Sequence, residues 1–200
     1  MKRYLILILV ILVLTLAGIV GCGQKSSSTE IYHNSKYGYS LEIPKTWTIN
    51  EEKNRQTITF RSPHNQMEIV VNVDSEDALN DFYSEFVARA GDTAMTPLEL
   101  LARASATEDE KLGAKVKYIE WNENAMTTFT LIETEDFQSW VKTYYIIDKG
   151  NFYLIAFKVI GYSDSEFNEY RNKLNEICKG FCIDDSSVIN LPEGKTVFDF

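Results

Sequence analysis

Residues 140–160 read WVKTYYIIDKGNFYLIAFKVI. Two runs of β-branched and aromatic residues, Trp140–Ile147 and Phe152–Ile160, flank Asp148-Lys149-Gly150-Asn151, whose composition suits a tight hairpin turn. From Phe152 to Phe157 the apolar residues continue without a polar break, which is how a strand covered on both faces reads. The stretch predicts an antiparallel hairpin whose second strand is central to a sheet.

Downstream, Ser163-Asp164-Ser165-Glu166 is a capping box, with Tyr162 and Phe167 at the staple positions. Phe167, Tyr170, Leu174 and Ile177 then mark the apolar stripe of a closing helix. Upstream, Lys115–Trp121 and Met126–Glu133 have strand composition, whereas Thr107–Lys111 is polar and charged. Thr96-Pro97-Leu98-Glu99 opens a short helix, and Leu79, Phe82, Tyr83, Phe86 and Ala90 form one face of another that Gly91 stops. Ile58–Phe60 and Met67–Val73 alternate around the turn Ser62-Pro63-His64-Asn65, and Tyr39, Leu41 and Ile43 alternate until Pro44. Strands joined by hairpins, with helices grouped apart, predict an α+β domain: a largely antiparallel β-sheet sandwiched by helices.

The chain begins with Lys2-Arg3, a sixteen-residue apolar run from Leu5 to Val20, and then Gly21-Cys22. The run is short of the ~20 residues that a permanent spanning helix needs, so the layout predicts a secretory signal peptide over 1–21. Ile19-Val20-Gly21-Cys22 resembles the bacterial lipobox, in which the cysteine sulfur accepts diacylglycerol and becomes the mature N-terminus. Cys22 would then fix the protein to the extracytoplasmic face of the cell membrane. Residues 22–30, rich in Gly, Ser, Gln and Thr, read as a lipidated tether, and 31–200 as a single domain. Loss of Lys2 and Arg3 with the signal takes the formal charge from −9 to −11, and an acidic domain without a basic cluster argues against nucleic acid as a partner.

Tyr37-Gly38-Tyr39-Ser40-Leu41-Glu42-Ile43-Pro44-Lys45-Thr46-Trp47 resembles the opening motif of PsbP-like proteins, chiefly through Tyr37, Gly38, Tyr39, Pro44 and Trp47. Gly180-Phe181 after the capped helix resembles the family's closing Ser-Phe pair, with glycine in place of serine. The resemblance implies an α/β/α sandwich of the PsbP-like kind, found in bacterial lipoproteins as well as in photosystem II. Each motif residue also has a structural explanation, since a glycine permits a turn, a proline ends a strand and a tryptophan fills a core edge.

The residues carry little catalytic signature. His33 and His64 lie near no nucleophile motif, and there is no phosphate loop, dinucleotide fingerprint or His-Glu-x-x-His zinc motif, so no cofactor, metal site or catalytic residue is expected. Acidic clusters at 74–77, 108–110 and 133–136 lack calcium-loop spacing and suit solvated surface. Cys178 and Cys182 flank Gly180 in what would be an oxidising compartment; a turn there would permit a disulfide worth about 2 kcal/mol, the alternative being two free thiols. The reading is a non-enzymatic binding or assembly module with a protein or small-ligand partner. The alternatives are an envelope enzyme with a carboxylate site, or metal or solute capture. Metabolic labelling with radiolabelled palmitate is expected to mark the protein, and Cys22→Ala to abolish the label and release the domain from the membrane fraction.

Overall fold

The computed structural model describes residues 28–52, 56–90, 94–184, 186–187 and 195–196. The signal segment, Cys22 and the tether up to Lys25-Ser26-Ser27 lie outside the described residues. Twelve strands and three helices are present among them: β1 (Thr29–Asn34), β2 (Tyr39–Pro44), β3 (Thr48–Glu51), β4 (Thr57–Arg61), β5 (Met67–Ser75), α1 (Glu76–Ala90), α2 (Pro97–Lys111), β6 (Lys115–Asn122), β7 (Ala125–Glu133), β8 (Gln138–Asp148), β9 (Asn151–Gly161), α3 (Asp164–Cys178), β10 (Cys182–Ile183), β11 (Ser186–Ser187) and β12 (Lys195–Thr196).

Eight strands form one sheet in the order β12-β6-β7-β8-β9-β5-β4-β3, and four form a smaller one in the order β1-β2-β10-β11. Every pairing is antiparallel. The hairpin of 140–160 is central as expected, with β9 held between β8 and β5. Its odd-numbered residues Tyr153, Ile155, Phe157 and Val159 enter one core, while Phe152 enters another on the opposite face. Burial of each such side chain contributes about 1.5–3 kcal/mol, which is why an unbroken apolar run is stable only in this position.

The first core lies beneath α3 and the small sheet, and contains Tyr39, Leu41, Phe60, Ile69, Leu174 and Phe181. The second lies beneath α1 and α2, with Leu79, Leu98, Ala102, Ala106, Tyr118 and Tyr145. Helices on both faces of a largely antiparallel sheet make the domain the α+β sandwich that the pattern predicts.

Several elements differ from expectation. Thr29 and Glu30, read as the end of the tether, begin β1, because their backbone pairs with Pro44 and Ile43. Composition does not report such a pairing. The second helix is not short: it runs through the polar stretch Thr107–Lys111, with Ala102 and Ala106 on its buried side and the Thr107 hydroxyl donating to the Arg103 carbonyl at 2.8 Å. β3 is an edge strand whose four residues are all exposed, so no alternation announces it. The N-cap of α3 forms as expected, the Glu166 N–H donating to Ser163 Oγ at 3.3 Å. Phe167 is buried, but Tyr162 stays 69% exposed and makes no staple.

Gly161, the last residue of β9, lets α3 fold back closely. A Cβ there would lie 2.6 Å from Phe167 Cα and 2.7 Å from Phe167 N, both backbone atoms that cannot swing aside. Gly161→Ala is expected to destabilise the domain by about 2 kcal/mol through overpacking, read as a fall in the urea midpoint; an unchanged midpoint would mean that the α3 entry has room to spare.

Candidate functional site

The motif residues divide into a fastening and a cleft. After β1, Asn34 Oδ1 accepts the N–H groups of Lys36 at 3.1 Å and Tyr37 at 3.3 Å, shaping a turn that Gly38 closes with φ +66°. The Tyr37 carbonyl accepts the Tyr153 hydroxyl at 2.7 Å, and the Gly38 carbonyl accepts the Asp184 N–H at 2.7 Å. A Cβ at Gly38 would collide with the Asp184 carboxylate, so glycine is required for close approach as well as for backbone conformation. Asp184 in turn pairs with Lys149 in the β8–β9 turn, and that contact raises the pKa of the ammonium. Tyr39 is 1% exposed and stacks on Phe181 at 5.6 Å, with burial pushing its hydroxyl pKa up. Tyr37 and Gly38 thus fasten the turn to β9 and to Asp184, and Tyr39 packs in the core.

Pro44 and Trp47 take a different place. With His64, Met67, Tyr170 and Lys173 they line a cleft of about 220 Å³ between the β2–β3 and β4–β5 turns and α3. The Trp47 N–H donates to the Pro44 carbonyl at 3.0 Å, which folds the first turn and seats the indole, 6% exposed, beside buried Met67. The second turn is held by Ser62: its N–H donates to the Met67 carbonyl at 3.0 Å, and its Oγ accepts the Met67 N–H at 3.1 Å. Ser62 is thus committed to the turn, while His64 and Lys173 stand exposed at the rim of an apolar floor. The other histidine, His33, is exposed on β1 away from this cleft.

The acidic clusters are not brought together into a metal site: among the described residues no three His, Cys, Asp or Glu could hold one ion. Asp74-Ser75-Glu76-Asp77 caps α1, with Ser75 Oγ accepting the Ala78 N–H at 3.2 Å and two carboxylates in the first turn. Glu135 and Asp136 share a hollow of about 190 Å³ with Asp164, all three exposed. Asp164 Oδ1 there accepts the Gln138 Nε2–H at 2.6 Å.

The most unusual grouping has no signal in the linear sequence. Register places Lys117 opposite Phe129 and Phe129 opposite Lys142, so three neighbouring strands present Lys-Phe-Lys in a row on one face. Leu131 and Trp140 form the next row, and Trp140 lies 6.3 Å from Phe129. The Lys142 ammonium sits 4.7 Å from the Tyr144 ring centre and 5.4 Å from that of Phe129. Burial lowers its pKa. Lys117 and Lys142 form no ion pair among the described residues, although their neighbour Lys115 pairs with Glu133 at 2.9 Å.

In the structure Cys178 and Cys182 are free thiols, the alternative to the disulfide. Cys178 ends α3 facing the core, 1% exposed, whereas Cys182 in β10 lies opposite Ser40, on the side of the small sheet away from Tyr39 and Leu41. With Cys178 facing the core and Cys182 facing away from Tyr39 and Leu41, the turn at Gly180 separates the two side chains.

No protein-family model and no curated protein matches the chain. Among solved structures it is similar to the solution structure of cyanobacterial PsbP from Synechocystis sp. PCC 6803, with 13% identity over 80% of this chain and 95% of that one, at a TM-score of 0.44. It is also similar to the Ran-binding protein Mog1p of Saccharomyces cerevisiae, with 8% identity over 78% and 96% of the two chains and a TM-score of 0.44. A Pseudomonas aeruginosa protein of unknown function shows 15% identity over 74% and 92%, at 0.36. These are likenesses of fold.

Burial raises the Cys178 thiol pKa from 9.0 to about 12. Its contribution to stability is therefore complete below pH 9.0 and is lost as pH rises toward 12, because the unfolded chain ionises first. The urea midpoint is expected to fall across that window, less steeply in Cys178→Ala. Native protein at pH 8 should leave Cys178 unmodified by iodoacetamide in peptide mapping, and rapid modification there would contradict the buried position.

Proposed function

We propose that this chain is a lipid-anchored, extracytoplasmic binding module without catalytic activity, and that the cleft of Trp47, His64, Tyr170 and Lys173 receives its ligand. The observation that carries the reading is the cleft's make-up: an apolar floor, two polar nitrogen-bearing side chains at the rim, and a serine held by its own turn. Such a site can bind and orient a group, but lacks the nucleophile and base in mutual contact that covalent catalysis requires. About 220 Å³ is below the roughly 300–1,000 Å³ of sites for drug-sized molecules, so the occupant is compact, of the order of one side chain.

The lipobox at Cys22 supports the location. No helix among the described residues is long and apolar enough to cross a membrane. With β1 starting at Thr29, seven residues on from Cys22, the chain between them spans at most about 25 Å, so the cleft would work close to the membrane. An envelope enzyme would find its carboxylates in the hollow of Glu135, Asp136 and Asp164, but these stand in water, whereas a carboxylic acid that donates a proton near neutrality is kept in apolar surroundings.

A photo-crosslinking amino acid in place of Gln66, on the cleft wall, is expected to trap a specific adduct in intact cells. The same substitution at Glu123, in the distant β6–β7 turn, should trap none. The adduct should disappear in the double variant H64A/K173A, two exposed positions whose loss leaves the core intact. Equal adducts from both crosslinking positions, or persistence in the double variant, would remove the cleft from the function.

A further inference from the structure

The Lys-Phe-Lys row lies on the part of the large sheet beside α3. That helix packs on β9 and β8 and leaves β7 and β6 beyond its edge. Phe129, Leu131 and Trp140 are only half-buried there, and on α3 the Arg171 guanidinium lies 5.6 Å from the Phe167 ring centre and donates to Asn168 Oδ1 at 3.0 Å. In a chain with 29 acidic and 20 basic residues, surplus carboxylates are plentiful, yet Lys117 and Lys142 meet none among the described residues. Lys142, held against two aromatic rings with no carboxylate paired to it among the described residues, has lost solvation that an incoming anion would recover.

We propose that this face is a docking surface for an acidic, extended segment of a partner protein, whose carboxylates meet Lys117 and Lys142 on either side of Phe129 while its apolar residues cover Phe129 and Trp140. Neighbouring strands lie about 4.8 Å apart, so the two lysine roots are separated by roughly 10 Å. Carboxylates two residues apart on an extended segment are about 7 Å apart, a span that flexible lysine stems close from either side.

The test uses full-length lipidated protein in detergent micelles and a fluorescein-labelled decapeptide Ser-Glu-Ser-Glu-Ser-Phe-Ser-Phe-Ser-Glu, whose Glu and Phe side chains share one face when extended, read by fluorescence anisotropy. Binding is expected, weakening as salt rises, by about tenfold in K117Q and further in K117Q/K142Q. The Gln-Phe counterpart should not bind. H64A/K173A, which lies in the cleft, should bind the decapeptide as the unaltered protein does, so failure of the cleft and failure of this surface are read separately. K117Q leaves Lys142 and its ring contacts in place and serves where the double variant fails to fold. Equal affinity for the Gln-Phe peptide, no loss in K117Q, or preference for phosphatidylserine vesicles over the decapeptide would each overturn the proposal.

Discussion

Phe181 sits between two rings that belong to different sheets. It stacks on Tyr39 of β2 at 5.6 Å with planes 18° apart, and meets Phe157 of β9 edge-on at 6.4 Å and 86°. All three are essentially without solvent contact. This joint decides where α3 must end, since Phe181 follows the helix by three residues, and it brings β10 alongside β2. The fastening of Tyr37 and Gly38 to Tyr153 and Asp184 then follows on the same side of β9. Without a ring at 181 the small sheet would have one flank with nothing to pack on.

Legibility in the sequence followed the range of the forces involved. The hairpin of β8 and β9 is readable because its apolar run reports burial on both faces, and α3 is readable because Ser163 and Glu166 solve a problem local to one helical turn. β1 and β3 are not, for opposite reasons: Thr29 and Glu30 look like linker until Pro44 and Ile43 are opposite them, and β3 has no buried face to create a pattern. The last turn of α2 defied its polar composition because one buried stripe with alanines at 102 and 106 is enough to carry a helix whose remaining sides face water.

The two proposed surfaces were less legible than the fold. Pro44 and Trp47 stood out as a motif, but His64, Tyr170 and Lys173 complete the cleft from two other elements, over a hundred residues apart along the chain. Lys117, Phe129 and Lys142 are separated by spacings that belong to no periodicity, and only strand register makes them neighbours. The cysteines show the reverse case. Closeness in sequence suggested a bond, and the change from helix to strand between them turned the two sulfurs apart.

The outermost strand of the small sheet has a mechanical consequence. β1 is the first described element after Cys22, and it pairs with β2 alone, Thr29 opposite Pro44 at the open end of their hairpin. A pull delivered through a lipid at Cys22 would load those backbone bonds one pair at a time, as in unzipping, rather than all together, as in shear. Thr29, Glu30 and Ile31 would peel away first and lengthen the leash by about 10 Å, before Tyr32, edge-on to Phe60, and buried Asn34 resist. Were Cys22 lipidated as proposed, the domain would carry its own strain relief at the point where the anchor pulls on it.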